Sequence, residues 1–210
     1  MADEFTGFTR EAFTFWKGLE RNNTRQWFQA HKEQYEQLVR QPLQLLIDEL
    51  APLYGAGRLS RINKDMRFQK EKPYKSYLAT HLGSSYVSLS KDGLWVGTGI
   101  YKPEPAVLRQ LREAMAGDTS GRELTKIIAS LQRRGLEVDT HARLEKPPRG
   151  YEVTHPRADL LRMKDIYVGR LFGPDEVVSP SVLRGVVKAM SDLEPFRAWL
   201  RKYVPRPAAR

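Results

Sequence analysis

Between Arg58 and Lys75 the chain carries seven cations, at positions 58, 61, 64, 67, 70, 72 and 75, against two acids, Asp65 and Glu71. Read as a strand over 61–68, this stretch puts Arg61, Asp65 and Arg67 on one face and Ile62, Met66 and Phe68 on the other. A carboxylate between two guanidinium groups holds both forks in place and leaves their outer N–H groups for a phosphate or carboxylate. Lys72, Tyr74 and Lys75 then line the rim, and Lys64 adds charge. The same residues also suit an Arg61–Asp65–Arg67 ion-pair network that only ties the strand to a neighbour, because charge clusters mark both sites and scaffolding.

Of the four histidines, 31, 81, 141 and 155, none stands at metal-ligand spacing with another histidine or a close carboxylate. His155, directly before Pro156, is the candidate general acid or base, with a hydrogen-bonding role at the start of a helix as its alternative. His31 falls on the apolar stripe of its helix. Several chemistries are excluded outright. The chain has no cysteine, hence no disulfide, thiolate nucleophile or Cys-bound zinc. It has neither a Gly-x-Ser-x-Gly elbow nor a phosphate loop ending Gly-Lys-Ser/Thr. Gly97-Thr98-Gly99 lacks the third glycine of a dinucleotide loop, and Pro103 and Pro105 remove early N–H donors from the helix that follows. Asp65 has no downstream Glu-x-Lys of a metal-dependent nuclease. No cofactor or metal is expected.

The chain that must position these residues has 210 of them, 40% hydrophobic, with four Trp, eight Phe and nine Tyr. That supports a real core and excludes low-complexity disorder. The net charge of +10 allows a polyanionic partner, although the Lys and Arg residues scatter along the whole length. No run reaches the ~18 apolar residues of a membrane span. The acidic start, Met1-Ala2-Asp3-Glu4, does not read as a signal peptide, so a cytoplasmic address without membrane contact is expected.

The spacing predicts helices in the first third. Thr9 caps one with Ala12, Phe15, Trp16 and Leu19 on its stripe. Asn23 and Gln26 form a capping box for a second, which Pro42 kinks or splits. Tyr86–Leu89 and Leu94–Tyr101 read as a hairpin around Ser90-Lys91-Asp92-Gly93. Gly97 and Gly99 leave room on that strand for a packed helix or a ligand. Pro103 opens a helix bearing Leu108, Leu111 and Met115, and Ser120 with Glu123 caps the next. Ile166–Phe172 is a strand, and Ser179-Pro180 starts a long C-terminal helix. The expectation is a single α+β domain over 1–203, with a central, mostly antiparallel sheet covered by helices and a basic tail over 204–210.

Four segments carry a family resemblance: Asn22-Asn23-x-Arg25-x-Trp27-Phe28, the stretch from Arg61 to Lys75, Gly97-x-Gly99-Ile100-Tyr101-x-Pro103, and Gly150-Tyr151 followed by His155-Pro156. The chain resembles a bacterial family of conserved hypothetical proteins, domain of unknown function 2461. The family hallmark reads Arg-x-x-Arg-Asp-x-Arg-Phe, then an acid or Asn, a Lys and a Tyr. Arg61, Asp65, Arg67, Phe68, Lys72 and Tyr74 match it. Lys64 stands for an Arg, Glu71 for the Asp or Asn, and the Lys-to-Tyr spacing is one residue shorter. The resemblance implies no particular activity.

Composition and motif together give a leading expectation: a small phosphorylated or carboxylated ligand in a basic pocket, with acid/base chemistry, if any, at His155. A nucleic-acid-binding module using the same cations is the alternative, and a protein-interaction scaffold without a small ligand is the third reading. Oligomeric state is not set by the sequence.

Overall fold

The computed structural model describes residues 4–65 and 72–205. Helices α1 (Arg10–Arg21), α2 (Arg25–Ala30) and α3 (Lys32–Gln34) come first, then a π-helical turn at Tyr35–Arg40 and α4 (Gln41–Tyr54). Strands β1 (Tyr77–Leu82), β2 (Ser85–Ser90) and β3 (Gly93–Ile100) precede α5 (Pro105–Ala116), α6 (Asp118–Arg133) and β4 (Glu137–Asp139). The remainder is α7 (Ala158–Leu161), β5 (Ile166–Phe172), α8 (Pro174–Val177), α9 (Val182–Asp192) and α10 (Glu194–Tyr203). The strands form one antiparallel sheet in the order β1-β2-β3-β5-β4. The expected α+β class, an antiparallel sheet with helices, is therefore present.

The chain divides into two compact units, Met1–Val96 with Leu171–Lys188 and Gly97–Arg170 with Ala189–Arg210. In the first, α1 buries Ala12, Phe13, Phe15, Trp16 and Leu19, and α4 buries Leu43, Leu46, Ile47 and Leu50. Each fully buried aliphatic or Phe side chain contributes about 1.5–3 kcal/mol relative to exposure, so these two stripes hold the unit together. Tyr77 pairs with Ser90 and Leu82 with Ser85, which fixes the β1–β2 register. In the second unit Leu111, Met115, Leu124, Leu131, Ile166, Phe196 and Trp199 share one core. The Trp199 indole N–H donates to the Ser120 carbonyl at 2.8 Å.

Several expectations change in detail, each for a local reason. Thr24, not Asn23, caps α2, its hydroxyl accepting the Trp27 N–H at 3.2 Å. Ser120 lies inside α6 rather than at its cap, and its hydroxyl donates to the Ala114 carbonyl at 2.6 Å. Pro42 sits in the first turn of α4, directly after the π turn; its missing N–H leaves no α-type bond to make there. The C-terminal helical run divides at Leu193, with Pro195 in the first turn of α10. What approaches Gly99 is neither a helix nor a ligand: a Cβ there would stand 2.3 Å from the Ile166 carbonyl oxygen of β5. Of the expected tail, Val204 is buried and 206–210 lie outside the described residues. Among the described residues, no helix is long and apolar enough to cross a membrane.

Candidate functional site

The described part of the basic stretch is not a continuous strand. Residues 61–65 form a single antiparallel bridge between Asn63 and Tyr74. The Lys64 N–H donates to the Pro73 carbonyl and the Lys75 N–H to the Ile62 carbonyl, both at 2.8 Å. These bonds join 62–64 to 73–75. Arg67 and Phe68, with 66–71 generally, lie outside the described residues, so the Arg61–Asp65–Arg67 face is described only at its first two members.

Upstream of the bridge the segment is pinned to β1. The Thr80 hydroxyl donates to the Arg58 carbonyl at 3.0 Å, and the Ser60 N–H donates to the Ala79 carbonyl at 2.7 Å. Fixed this way, Arg58 and Arg61 border a depression of about 460 Å³ whose other walls include Tyr35, Glu36, Arg40, Gln44, Ser60 and Asn63. Three arginines and one acid, Glu36, thus line the depression, and the Glu36 carboxylate approaches Arg40 at 3.5 Å. Arg40 and Glu36 are each about half exposed, so solvent weakens that pair and leaves Arg40 able to serve a ligand. Burial foremost, with Glu36 adding to it and Arg40 opposing, pushes the Tyr35 phenol up to about 12, so Tyr35 is neutral at physiological pH. The size suits a small ligand, and the polar groups can orient one.

The other predicted residues disperse. Lys72 lines a second depression, of about 660 Å³, with Asn22, Asn23, Trp27 and His31. There the His31 ring stacks on Trp27 at 3.9 Å, and its Nδ1 is 2.8 Å from the Trp27 carbonyl. Lys64 and Lys75 are half-buried, and Asp65 is exposed. Tyr74 is 3% exposed and stacks on Phe28 at 4.1 Å, so it sits in the core rather than on a rim. Nδ1 of His155 accepts the Arg157 N–H at 3.0 Å, beside the start of α7. Arg157 in turn donates to the Met115 and Ala116 carbonyls at 2.7 and 2.6 Å, satisfying orphan carbonyls at the C-terminus of α5. Among the described residues, no group of three or more His, Asp or Glu is placed to hold a metal ion.

Residues 11–199 match the family described as conserved hypothetical protein (DUF2461). The chain belongs to that family. No curated protein matches it. Within the first unit the segment carrying Asn23 and Phe28 meets the chain at Tyr74. The Asn23 amide donates to the Tyr74 carbonyl at 2.9 Å and accepts the Tyr74 N–H at 3.0 Å, imitating one rung of a sheet. Phe28 supplies the stacked ring. Losing two hydrogen bonds to a buried residue costs about 1–3 kcal/mol, whereas losing the exposed Thr24 cap costs about 1 kcal/mol. Asn23→Ala is therefore expected to lower the melting temperature more than Thr24→Ala. Equal shifts in thermal melts would show that the Asn23–Tyr74 pairing carries no special weight.

One polar cluster in the second unit is absent from the sequence reading. Asp165, at the start of β5, has a side chain 0% exposed. Its carboxylate accepts from the Thr140 hydroxyl at 2.7 Å, the His141 N–H at 2.9 Å, the Lys102 N–H at 3.0 Å, and Nδ1 of His141. Burial pushes its pKa up, and these four donors more than offset that, leaving the carboxyl below its ordinary value. His141 and Asp165 are 24 residues apart, and nothing in that spacing announces a pair.

Proposed function

We propose that the protein binds a small phosphorylated or carboxylated ligand in the depression walled by Arg40, Arg58 and Arg61. The observation that carries this reading is that three arginines, from the π turn and from the β1-anchored segment, line one depression with a single acidic residue, Glu36. Guanidinium forks match phosphate and carboxylate oxygens bidentately, which is why three of them in one concavity favour an anion over a neutral guest. Gln44, Ser60 and Asn63 supply neutral hydrogen bonds that would select among anions of similar charge. In this reading Lys64 and Lys75 add positive charge along the segment, and Asn23 positions it through Tyr74.

Calorimetry with inorganic phosphate, then with sugar phosphates, nucleotides and dicarboxylates, tests the reading. Arg58→Ala and Arg61→Ala are each expected to weaken binding by about 1.5–3 kcal/mol, the worth of a hydrogen bond to a charged group, or roughly 10- to 150-fold. Both side chains sit on exposed residues, so melting should change little. Folded variants with wild-type affinity would refute the site. Tight, salt-sensitive binding to DNA or RNA, lost in the same variants, would transfer these arginines to a nucleic-acid surface.

A further inference from the structure

We propose that His141 is the catalytic base of a separate hydrolytic site in the second unit, with a small aryl ester as its substrate class. The inference starts from the tautomer. Asp165 is buried, ionised and acceptor-only, so the His141 nitrogen facing it, Nδ1, carries the proton. With the Nδ1 proton held there, Nε2 is the nitrogen left to act, and no hydrogen bond reaches it among the described residues. The His141 side chain is 27% exposed, so the ring is only partly covered by the protein. A buried carboxylate that fixes the tautomer of a partly exposed histidine, leaving the far nitrogen without a protein partner, is an arrangement that suits a general base.

The surroundings favour an ester with a flat group. Tyr101, 61% exposed, presents its ring edge-on to His141 at 5.6 Å and to Tyr167 at 6.3 Å, giving an aromatic wall beside the base. The Lys102 ammonium lies 5.2 Å from the Tyr101 ring centroid, placing a cation beside the same wall for a developing oxyanion. The cluster is rigidly assembled, because the ends of β3 and β4 and the start of β5 all supply its members. Lys102 also holds a left-handed backbone, φ 45, that a non-glycine residue adopts only when its surroundings impose it, here through its N–H bond to Asp165.

The step balances with water alone. Nε2 takes a proton from water as its oxygen bonds to the ester carbonyl carbon, and the carbonyl π pair moves to oxygen. The tetrahedral oxyanion then re-forms the carbonyl, the bond to the aryloxide breaks, and the imidazolium returns its proton to that oxygen. The products are a carboxylic acid and a phenol. Asp165 acts through His141 as a positioning residue.

The full chain is assayed with p-nitrophenyl acetate by release of p-nitrophenol. Saturable hydrolysis is expected, falling roughly 100-fold in His141→Gln, the lower end of what a positioned acid or base contributes. His81→Gln, at an exposed position of β1, should leave it unchanged. Asp165→Asn should lower kcat with KM retained; should that variant fail to fold, His141→Gln carries the test. A folded His141→Gln protein hydrolysing the ester at the wild-type rate, or a wild type no faster than free imidazole at equal concentration, overturns the proposal.

Discussion

Gly93→Ala is expected to destabilise the protein by roughly 2–6 kcal/mol, summing the ranges for overpacking and for forced backbone strain. Two independent penalties meet at this residue. Its φ of 129 lies where an L side chain is strained. An added Cβ would also stand 2.1 Å from the Phe172 carbonyl oxygen and 3.0 Å from its carbon, both of them backbone atoms of β5. Backbone in a paired strand cannot step aside as a flexible side chain would, so the sheet itself must shift. At this chain length 1 kcal/mol moves the melting temperature by about 2–4 °C, so a drop of roughly 4–24 °C is expected. Gly135→Ala separates the two causes, since Gly135 has φ 77 but nothing within 4 Å of the added atom. It should cost only the backbone strain, about 1–3 kcal/mol. Thermal melts of the two variants side by side decide the matter, and a Gly93→Ala protein as stable as Gly135→Ala would refute the steric argument.

This glycine also marks where sequence reading stops. Gly93 is legible as a turn residue, and the hairpin of β2 and β3 follows from alternation around it. That β5 would press against Gly93 and Gly99 is not legible, because strand order is a tertiary outcome. Long amphipathic stripes read well: the four residues expected to face inward on α1 are all buried. Short or irregular elements do not. β1 follows no in-out alternation, with buried Leu78, Ala79 and Thr80 in succession, and β4 is three residues long. Caps misplace for a related reason. Asn23 has the chemistry of a cap but spends its amide on Tyr74, 51 residues away, so the next residue takes the cap. At the basic depression, Arg58 and Arg61 belong to a charge run visible in one dimension. Arg40 joins them from a different element, and no local signal links it to them. The His141–Asp165 pair needs the ends of β4 and β5 side by side before its spacing means anything.

Asp165→Asn should be the other severe substitution, and its cost should depend on pH. The carboxylate offers two oxygens to four donors: Thr140 and the His141 N–H on Oδ1, Lys102 and Nδ1 of His141 on Oδ2. An amide keeps one oxygen and turns an NH₂ group toward the other two donors. Each buried donor left without an acceptor costs about 1–3 kcal/mol, so roughly 2–6 kcal/mol is lost at neutral pH. The sign of the pH dependence follows from linkage. The folded-state pKa of Asp165 lies below its ordinary value of 3.8, so in the interval between the two the unfolded chain binds more protons than the folded one. The stability that Asp165 contributes is therefore fully present above the ordinary value and is lost as pH falls through the folded one. Glu123 and Glu194, lowered chiefly by hydrogen bonds to Tyr203 and Arg201, add acid sensitivity to wild type and variant alike. Their contribution cancels in the difference. Denaturant titrations of both proteins from neutral pH down through the carboxylate range should show the gap widest at neutral pH and narrowing in acid. A gap that stays constant, or widens, as the solution is acidified would mean that Asp165 is not the ionised anchor of this cluster.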